Sequence, residues 1–256
     1  MIDLHSHLLP GIDDGSRTLD QSVTVLREFA AVGVTDLAVT PHIRSSDISQ
    51  RGDAWVERRD QLLAEVRAAA PPTIQLHPGF EIMLDEPLSA IATGDRRFAI
   101  AGSRYYLVEF PFSVVGDLAT GILARMAQAG VVPLVAHPER YSLCSIGTFA
   151  AWRAAGAVLQ VDATTVTRPT SRGDMARRLV EDGLAGILAG DNHGDTRSLL
   201  TGRRFLEDRG GSESAEWLTV SNPRAVIQDG LVSAVPRVKL KAGIGERIRA
   251  LIRRET

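Results

Sequence analysis

Seven short apolar runs of strand length alternate along this chain with longer stretches of helical periodicity, a pattern that points to a parallel α/β architecture. The runs cover residues 2–7, 37–43, 74–82, 105–112, 132–137, 158–163 and 184–191. Helices are expected at 19–32, 55–69, 118–129, 149–155, 174–181 and 198–208. The first carries an apolar stripe of Val23, Leu26, Phe29 and Ala30 and stops at Gly33; the second repeats the pattern with Leu62, Leu63 and Val66 and ends at Pro71-Pro72. Seven such units within roughly 200 residues, without a long linker, favour a closed or nearly closed parallel barrel, a form that typically needs about 250 residues. An open doubly wound sheet has the same periodicity and stands as the alternative. No internal repeat and no low-complexity segment interrupts the pattern; Arg209-Gly210-Gly211-Ser212 reads as a flexible loop.

The chemistry lies where these runs end. His5 and His7 close the first, and residues two apart on a strand point to the same side, so the pair can grip one point. His42 ends the second run, Glu81 the third and His137 the fifth; Glu109 lies near the end of the fourth, and Asp191 and His193 end the seventh. Asp13 and Asp14 follow the first run in a loop. A lone His-x-His is more often a pair of satisfied or exposed histidines. Six of seven strands carrying His, Asp or Glu to one rim is a different matter, because carboxylates at the ends of apolar strands are costly unless paired or bound to metal. Imidazole with carboxylate suits zinc, iron or manganese, and so many donors exceed the needs of one ion. Two or three ions sharing a bridging carboxylate, about 3.5–4 Å apart, would hold a hydroxide suited to phosphoryl transfer.

Composition removes several alternatives. Lys and Arg number 29 against 31 Asp and Glu, a net charge of −2, so no electrostatic pull toward nucleic acid is expected. The one cysteine, Cys144, excludes a disulfide framework and a cysteine-ligated zinc site. Alanine, not arginine, stands six positions after it at Ala150, so cysteine-based phosphatase chemistry is excluded too. Neither a nucleotide P-loop nor a Gly-x-Ser-x-Gly elbow occurs. His77 sits before a Pro-Gly turn and reads as structural.

The motifs His5-Ser6-His7, Asp13-Asp14-Gly15, Thr40-Pro41-His42, Gly79-Phe80-Glu81, Val108-Glu109-Phe110-Pro111, Ala136-His137-Pro138-Glu139-Arg140 and Asp191-Asn192-His193 together resemble the polymerase-and-histidinol-phosphatase (PHP) superfamily. Within it the chain is similar to the bacterial manganese-dependent protein-tyrosine phosphatases of capsule and exopolysaccharide loci, in order from residue 2 to about 230 through Ser221-Asn222-Pro223-Arg224. The resemblance implies a distorted seven-stranded (β/α) TIM-like barrel over residues 1–236, with a short C-terminal helical tail at 237–256. It implies a trinuclear site. His5, His7, Glu81 and Asp191 would hold the first metal, a bridging Glu81 with Glu109 and His137 the second, and Asp14, His42 and His193 the third. Asp13 competes with Asp14. Manganese is implied, with iron or zinc compatible with the same donors. Arg140 and Arg197 are the phosphate-clamp candidates, with Arg44 behind them. The implied substrate is the phosphotyrosine tail of an autophosphorylating bacterial tyrosine kinase that controls capsule synthesis. A small-molecule phosphatase of the histidinol-phosphate type, a nuclease, and a regulator with a retired site are the alternatives.

No apolar run reaches membrane-spanning length and no basic region precedes an apolar stretch at the N-terminus, so a cytoplasmic protein is expected. Residues 237–256 carry seven basic and two acidic residues, a net +5 against −7 on the rest. Ile244, Ile248, Leu251 and Ile252 recur there at helical spacing. The segment reads as a terminal helix packed on the barrel, or as an amphipathic peripheral contact with anionic lipid or a membrane-bound partner.

Overall fold

Every strand ladder in the computed structural model is parallel, as crossover helices between consecutive strands require. The structure describes residues 1–86 and 93–241. The strands are β1 (Ile2–Asp3), β2 (Asp36–Val39), β3 (His42–Arg44), β4 (Gln75–Pro78), β5 (Glu81–Met83), β6 (Tyr105–Glu109), β7 (Val132–Ala136), β8 (Val158–Asp162) and β9 (Ala185–Ala189). The helices are α1 (Leu19–Ala31), α2 (Ser45–Ala69), α3 (Gly116–Gln128), α4 (Ile146–Ala154), α5 (Ser171–Glu181), α6 (Leu199–Asp208), α7 (Ser212–Glu216) and α8 (Asn222–Ile227).

Strands β1-β2-β4 form one sheet and β3-β5-β6-β7-β8-β9 a second. The seven expected runs are thus shared between two parallel sheets rather than joined in one continuous ladder. Two of the seven runs each break into two strands, at Thr40-Pro41 between β2 and β3 and at Gly79-Phe80, just after Pro78, between β4 and β5. Proline has no N–H for a ladder, and each break passes the chain from the first sheet to the second. Single bonds span the seams. Thr40 N donates to Ser6 O at 2.8 Å and Glu81 N to Pro41 O at 3.0 Å. Between β1 and β9 the ladder shrinks to one bridge, Ser6 with Asn192. Asp3 reinforces that seam, its carboxylate accepting from Gly190 N at 3.0 and 3.1 Å.

Both faces of the strands are buried, which is why they read as near-continuous apolar runs. Ile2, Leu4, Ala38, Leu107, Leu134 and Ile187 form a core between the sheets. Val108, Val135, Val161 and Leu188 point outward to helix residues such as Leu123, Phe149, Trp152 and Leu179. The first sheet is covered through Leu37, Val39 and Leu76 by Leu26, Phe29, Leu62 and Val66 of α1 and α2. The helices start where their caps place them: Thr18, Thr170 and Ser198 each accept a backbone N–H, and Ser145 with Thr148 forms a reciprocal capping box.

Helix α2 starts ten residues before the expected 55–69 span, with non-helical backbone at Arg51 inside it. Helices α7 and α8 follow the Gly210 turn, where no helix was expected. The segment leading to the tail lies along the body: Val238 N donates to Glu181 O at 3.1 Å and Lys241 N to Arg209 O at 3.0 Å. The expected tail helix, with Ile244, Ile248, Leu251 and Ile252, falls outside the described residues.

Asn222, fully buried, fastens α8 to the second sheet. Its Nδ2 donates to Gly186 O and Ser233 O, and its Oδ1 accepts from Ser233 N, all at 3.0 Å. Asn222→Ala leaves those buried groups unpartnered and is expected to lower unfolding free energy by about 2–4 kcal/mol. Denaturant unfolding followed by circular dichroism measures this; a loss within about 0.5 kcal/mol, the range of an ordinary surface change, would show the contact is dispensable.

Candidate metal centre

The interior side-chain columns turn from apolar to polar at the C-terminal strand ends. Leu107 is followed two residues on by Glu109, and Ile187 and Ala189 by Asp191. The structure brings all nine expected ligands into one cluster linked by contacts of 3.0–3.8 Å. Glu81 lies at its centre. Its Oε2 is 3.0 Å from His5 Nε2, 3.2 Å from His7 Nε2 and 3.1 Å from His42 Nδ1, and its Oε1 is 3.0 Å from His137 Nε2. Asp191 Oδ1 lies 3.3 Å from His5 Nε2, and Glu109 Oε1 lies 3.4 Å from His42 Nδ1. Asp14 Oδ1 stands 3.4 Å from both His42 Nε2 and His193 Nε2, at the exposed edge.

The grouping differs in detail from the expected one. His42 turns one nitrogen to Glu81 and Glu109 and the other to Asp14, so it lies between two groups rather than in one. His7 stacks on His193 with ring centroids 4.0 Å apart and joins the Asp14 group as well. The loop also separates Asp13 from Asp14. Asp13 Oδ2 faces His7 Nδ1 at 2.8 Å and accepts from His42 N at 3.1 Å, while Asp14 turns to His42 Nε2 and His193 Nε2. Gly15 permits this turn: a Cβ there would lie 2.0 Å from His7 O.

The donor set fits several divalent cations. Glu81 Oε2 is fully buried and has no hydrogen bond, although three ring nitrogens surround it. His5 Nε2 and His7 Nε2 approach to 3.1 Å, an arrangement suited to two lone pairs directed at a shared cation. The field is strongly negative. Burial alone would lower the His7 pKa, yet the hydrogen bond to Asp13 and the nearby Asp191 and Glu81 carboxylates hold it well above the usual histidine value. His42 is raised against its burial in the same way, by Glu109 and Glu81. The outer ring atoms are held for ligation, since His193 Nδ1 donates to Asp191 O at 3.0 Å and leaves Nε2 toward Asp14. His137 (φ +33°) and Asp191 (φ +48°) are two of the four non-glycine residues with left-handed backbone among those described. Such conformations are costly and concentrate at functional sites.

Both arginine candidates meet the cluster at Asp191. Arg140 Nη2 donates to Asp191 Oδ2 and, at 3.2 Å, to Asp162 Oδ2; Arg197 Nη1 reaches Asp191 Oδ2 at 3.3 Å. Burial disfavours the Arg140 charge, but Asp191 and Asp162 raise its pKa above the ordinary value. Arg44 is exposed, two residues from His42. His77 pairs with Asp36 at 2.9 Å on β4 and β2, apart from the cluster, as its structural reading expects.

Sequence reasoning missed the contribution of β8. Its alternation Leu159-Gln160-Val161-Asp162 sends Val161 outward and Gln160 and Asp162 to the site, a signal that was visible. Asp162 also accepts from Thr164 and Thr165, while Glu139 accepts from Asp162 N. Burial and the charge of Asp162 push the Glu139 carboxyl up to about 8. Gln160 Nε2 lies 2.8 Å from His5 Nδ1 while its Oε1 has no partner. Turning the amide over lets Oε1 accept from Nδ1–H, which leaves the His5 Nε2 lone pair for a cation.

A model of the family described as capsular polysaccharide synthesis, CpsB/CapC, matches residues 1–228. The tyrosine-protein phosphatase CpsB of Streptococcus pneumoniae is 26% identical over 247 residues, covering 91% of this chain and 100% of that protein. A solved structure from a study of YwqE from Bacillus subtilis and CpsB from Streptococcus pneumoniae, described as unique metal-dependent tyrosine phosphatases, superposes with a TM-score of 0.78 at 24% identity, covering 94% of this chain and 100% of that one. The lactonase Lmo2620 from Listeria monocytogenes shares the fold with a TM-score of 0.60 at 12% identity, covering 88% of this chain and 94% of that one.

Gln160→Leu keeps the bulk and removes the partner of His5. Its affinity for Mn²⁺ is expected to fall about 10–100-fold. Calorimetric titration of the metal-stripped protein measures this, and an unchanged affinity would show that His5 is oriented without Gln160.

Proposed function

The chain belongs to the CpsB/CapC family of capsular polysaccharide synthesis, and on that premise we propose that it is a metal-dependent protein-tyrosine phosphatase. The observation that carries this reading is the convergence of five histidines and four carboxylates in one cluster with Glu81 at its centre, and two arginines meeting that cluster at Asp191. Its relatives named tyrosine-protein phosphatases support the choice of ester. The two parallel sheets, joined by single bonds at their seams, are read as one distorted seven-stranded barrel whose mouth is the site. The first cation is assigned to His5, His7, Glu81 and Asp191, the second to Glu81, Glu109 and His137, and the third to Asp14, His42 and His193. Manganese is the proposed metal, with iron and zinc suited to the same donors.

When bound, divalent cations at such a site supply Lewis acidity and a water-derived nucleophile at neutral pH. The chain's own groups do the rest. Both hydrogen bonds of Arg140 use Nη2, so Nη1 and Nε remain for a phosphoryl oxygen. Asp162, itself fixed by Thr164 and Thr165, holds that guanidinium in place. Arg197, tied by Asp195 and Asp191, offers a second donor on the same side. Charge accumulating on the equatorial oxygens is thereby neutralised without reorganisation. A tyrosine leaving group has a pKa of about 10, so strong general-acid assistance is unnecessary.

The proposed partner is the phosphorylated tail of a tyrosine kinase that controls capsule or exopolysaccharide synthesis, and the proposed location is the cytoplasm. Among the described residues no helix is long and apolar enough to cross a membrane.

With Mn²⁺ the purified protein is expected to hydrolyse phosphotyrosyl peptides and to lose this activity on chelation. Arg140→Ala is expected to lower kcat/KM about 100-fold through loss of a charged donor to the phosphoryl group. Faster hydrolysis of histidinol phosphate than of phosphotyrosine would replace this reading with a small-molecule phosphatase. Full activity after exhaustive chelation would remove the metal mechanism.

A further inference from the structure

A cavity of about 390 Å³ opens directly from the cluster. Asp13, His42 and Glu109 form its inner end, and Ile12, Met83 and Trp55 form its apolar walls. We propose that this cavity is an aryl subsite, which takes the aromatic ring of an aryl phosphate while the cluster and its arginines hold the phosphoryl group. The inference rests on the phosphomonoesterase reading and deepens it, because it names the part of the chain that selects the ester.

Three observations converge on it. The position is right: His42 turns its nitrogens to Glu81, Glu109 and Asp14 yet keeps a side-chain exposure of 36%, so one face of its ring borders the cavity. The chemistry is right as well. An indole, a thioether and a branched alkyl group surround an otherwise charged mouth, and such walls favour a flat apolar ring over a hydrated alkyl alcohol. The size also admits one phenyl ring and the backbone that carries it, since ligand cavities begin at about 300 Å³.

The fold holds these walls in place from separate elements. Met83 belongs to β5, the strand that carries Glu81, so its register is tied to the central carboxylate. Trp55 lies on α2, four residues after the non-helical backbone at Arg51. The first turn of that helix is pinned, because Ser45 and Ser46 both donate to the Asp85 carboxylate just beyond β5. Trp55 packs on the main core while a part of it stays accessible, as a stacking platform requires. No metal contact is needed for any of these positions. The cavity therefore adds selectivity to a cluster that by itself grips only the phosphoryl end.

The test compares phenyl phosphate with glycerol phosphate on Mn²⁺-loaded protein. Trp55→Ala and Met83→Ala are expected to lower the ratio of kcat/KM, aryl over alkyl, at least about tenfold, mainly through KM, and Trp55→Phe to restore most of it. Binding gives a second readout. Phenylphosphonate, which cannot be hydrolysed, is expected to quench the wild-type tryptophan fluorescence and methylphosphonate is not; Trp55→Phe abolishes the quench although Trp152 and Trp217 remain. An unchanged aryl-to-alkyl ratio in Trp55→Ala and Met83→Ala, or equal binding of the two phosphonates, overturns the subsite while leaving the phosphatase reading intact. A wild-type protein inactive on every phosphomonoester overturns that reading and the subsite with it.

Discussion

A carboxylate surrounded by histidine nitrogens in a closed interior is the constraint on which this structure depends. Glu81 is fully buried, and its Oε2 meets three ring nitrogens without a hydrogen bond. Three further carboxylates, Asp14, Glu109 and Asp191, stand around it. Like charges at such distances repel strongly where water is excluded, and the two arginines at Asp191 cannot balance them all. Multivalent cations are the neutralising charge that this donor set accepts most economically. The parallel fold supplies the geometry, because it aims the C-terminal ends of every strand at the same mouth.

The same convergence explains where the backbone departs from ordinary geometry. The β7 strand stops at Ala136, and His137 turns into the left-handed region before the short turn at Pro138. Asp191 does the same two residues after β9. Each turn moves a side chain out of the strand's alternation and into the cluster. The cost is carried by rigid surroundings. Asp3 fixes Gly190, Asn192 donates to Asp195 O and Arg197 O, and Tyr141 gives its hydroxyl proton to Ala136 O while accepting from Phe110 N. Burial keeps the Asp3 carboxyl up at about 6 even though two backbone N–H groups hold it. That loop framework is a network of buried polar groups, and such networks hold one geometry only when each member is satisfied.

The cluster was legible in the sequence because strand ends are: an apolar run that stops in a histidine or an acid fixes both the residue and the rim it reaches. Pro41 and Pro78 lie inside apolar runs that read as continuous by periodicity alone, and at or just after them the two sheets part. The choice between Asp13 and Asp14 was not legible, since neighbours in a loop differ only in the turn that Gly15 allows. Gln160 and Asp162 were overlooked for the opposite reason. Their alternation was plain, but neither ends the run that contains them. Helices α7 and α8 are short and depend on tertiary contacts such as Asn222, which no local periodicity announces.

Fold and cluster together still leave the leaving group undecided. A lactonase with the same architecture at 12% identity shows how far one barrel can be turned to other esters. The phosphoryl oxygens are identical in an alkyl and an aryl ester, so discrimination between the two has to come from side chains that face the leaving group. In this chain those side chains lie on α2 and at the end of β5, and the first turn of α2 is bound to the β5 end through Asp85. The proposed subsite and the cluster thereby share a strand, with Glu81 at the start of β5 and Met83 two residues beyond it. In the proposed subsite a change of leaving group falls on wall residues such as Met83 and Trp55, which leaves the charge balance around Glu81 untouched.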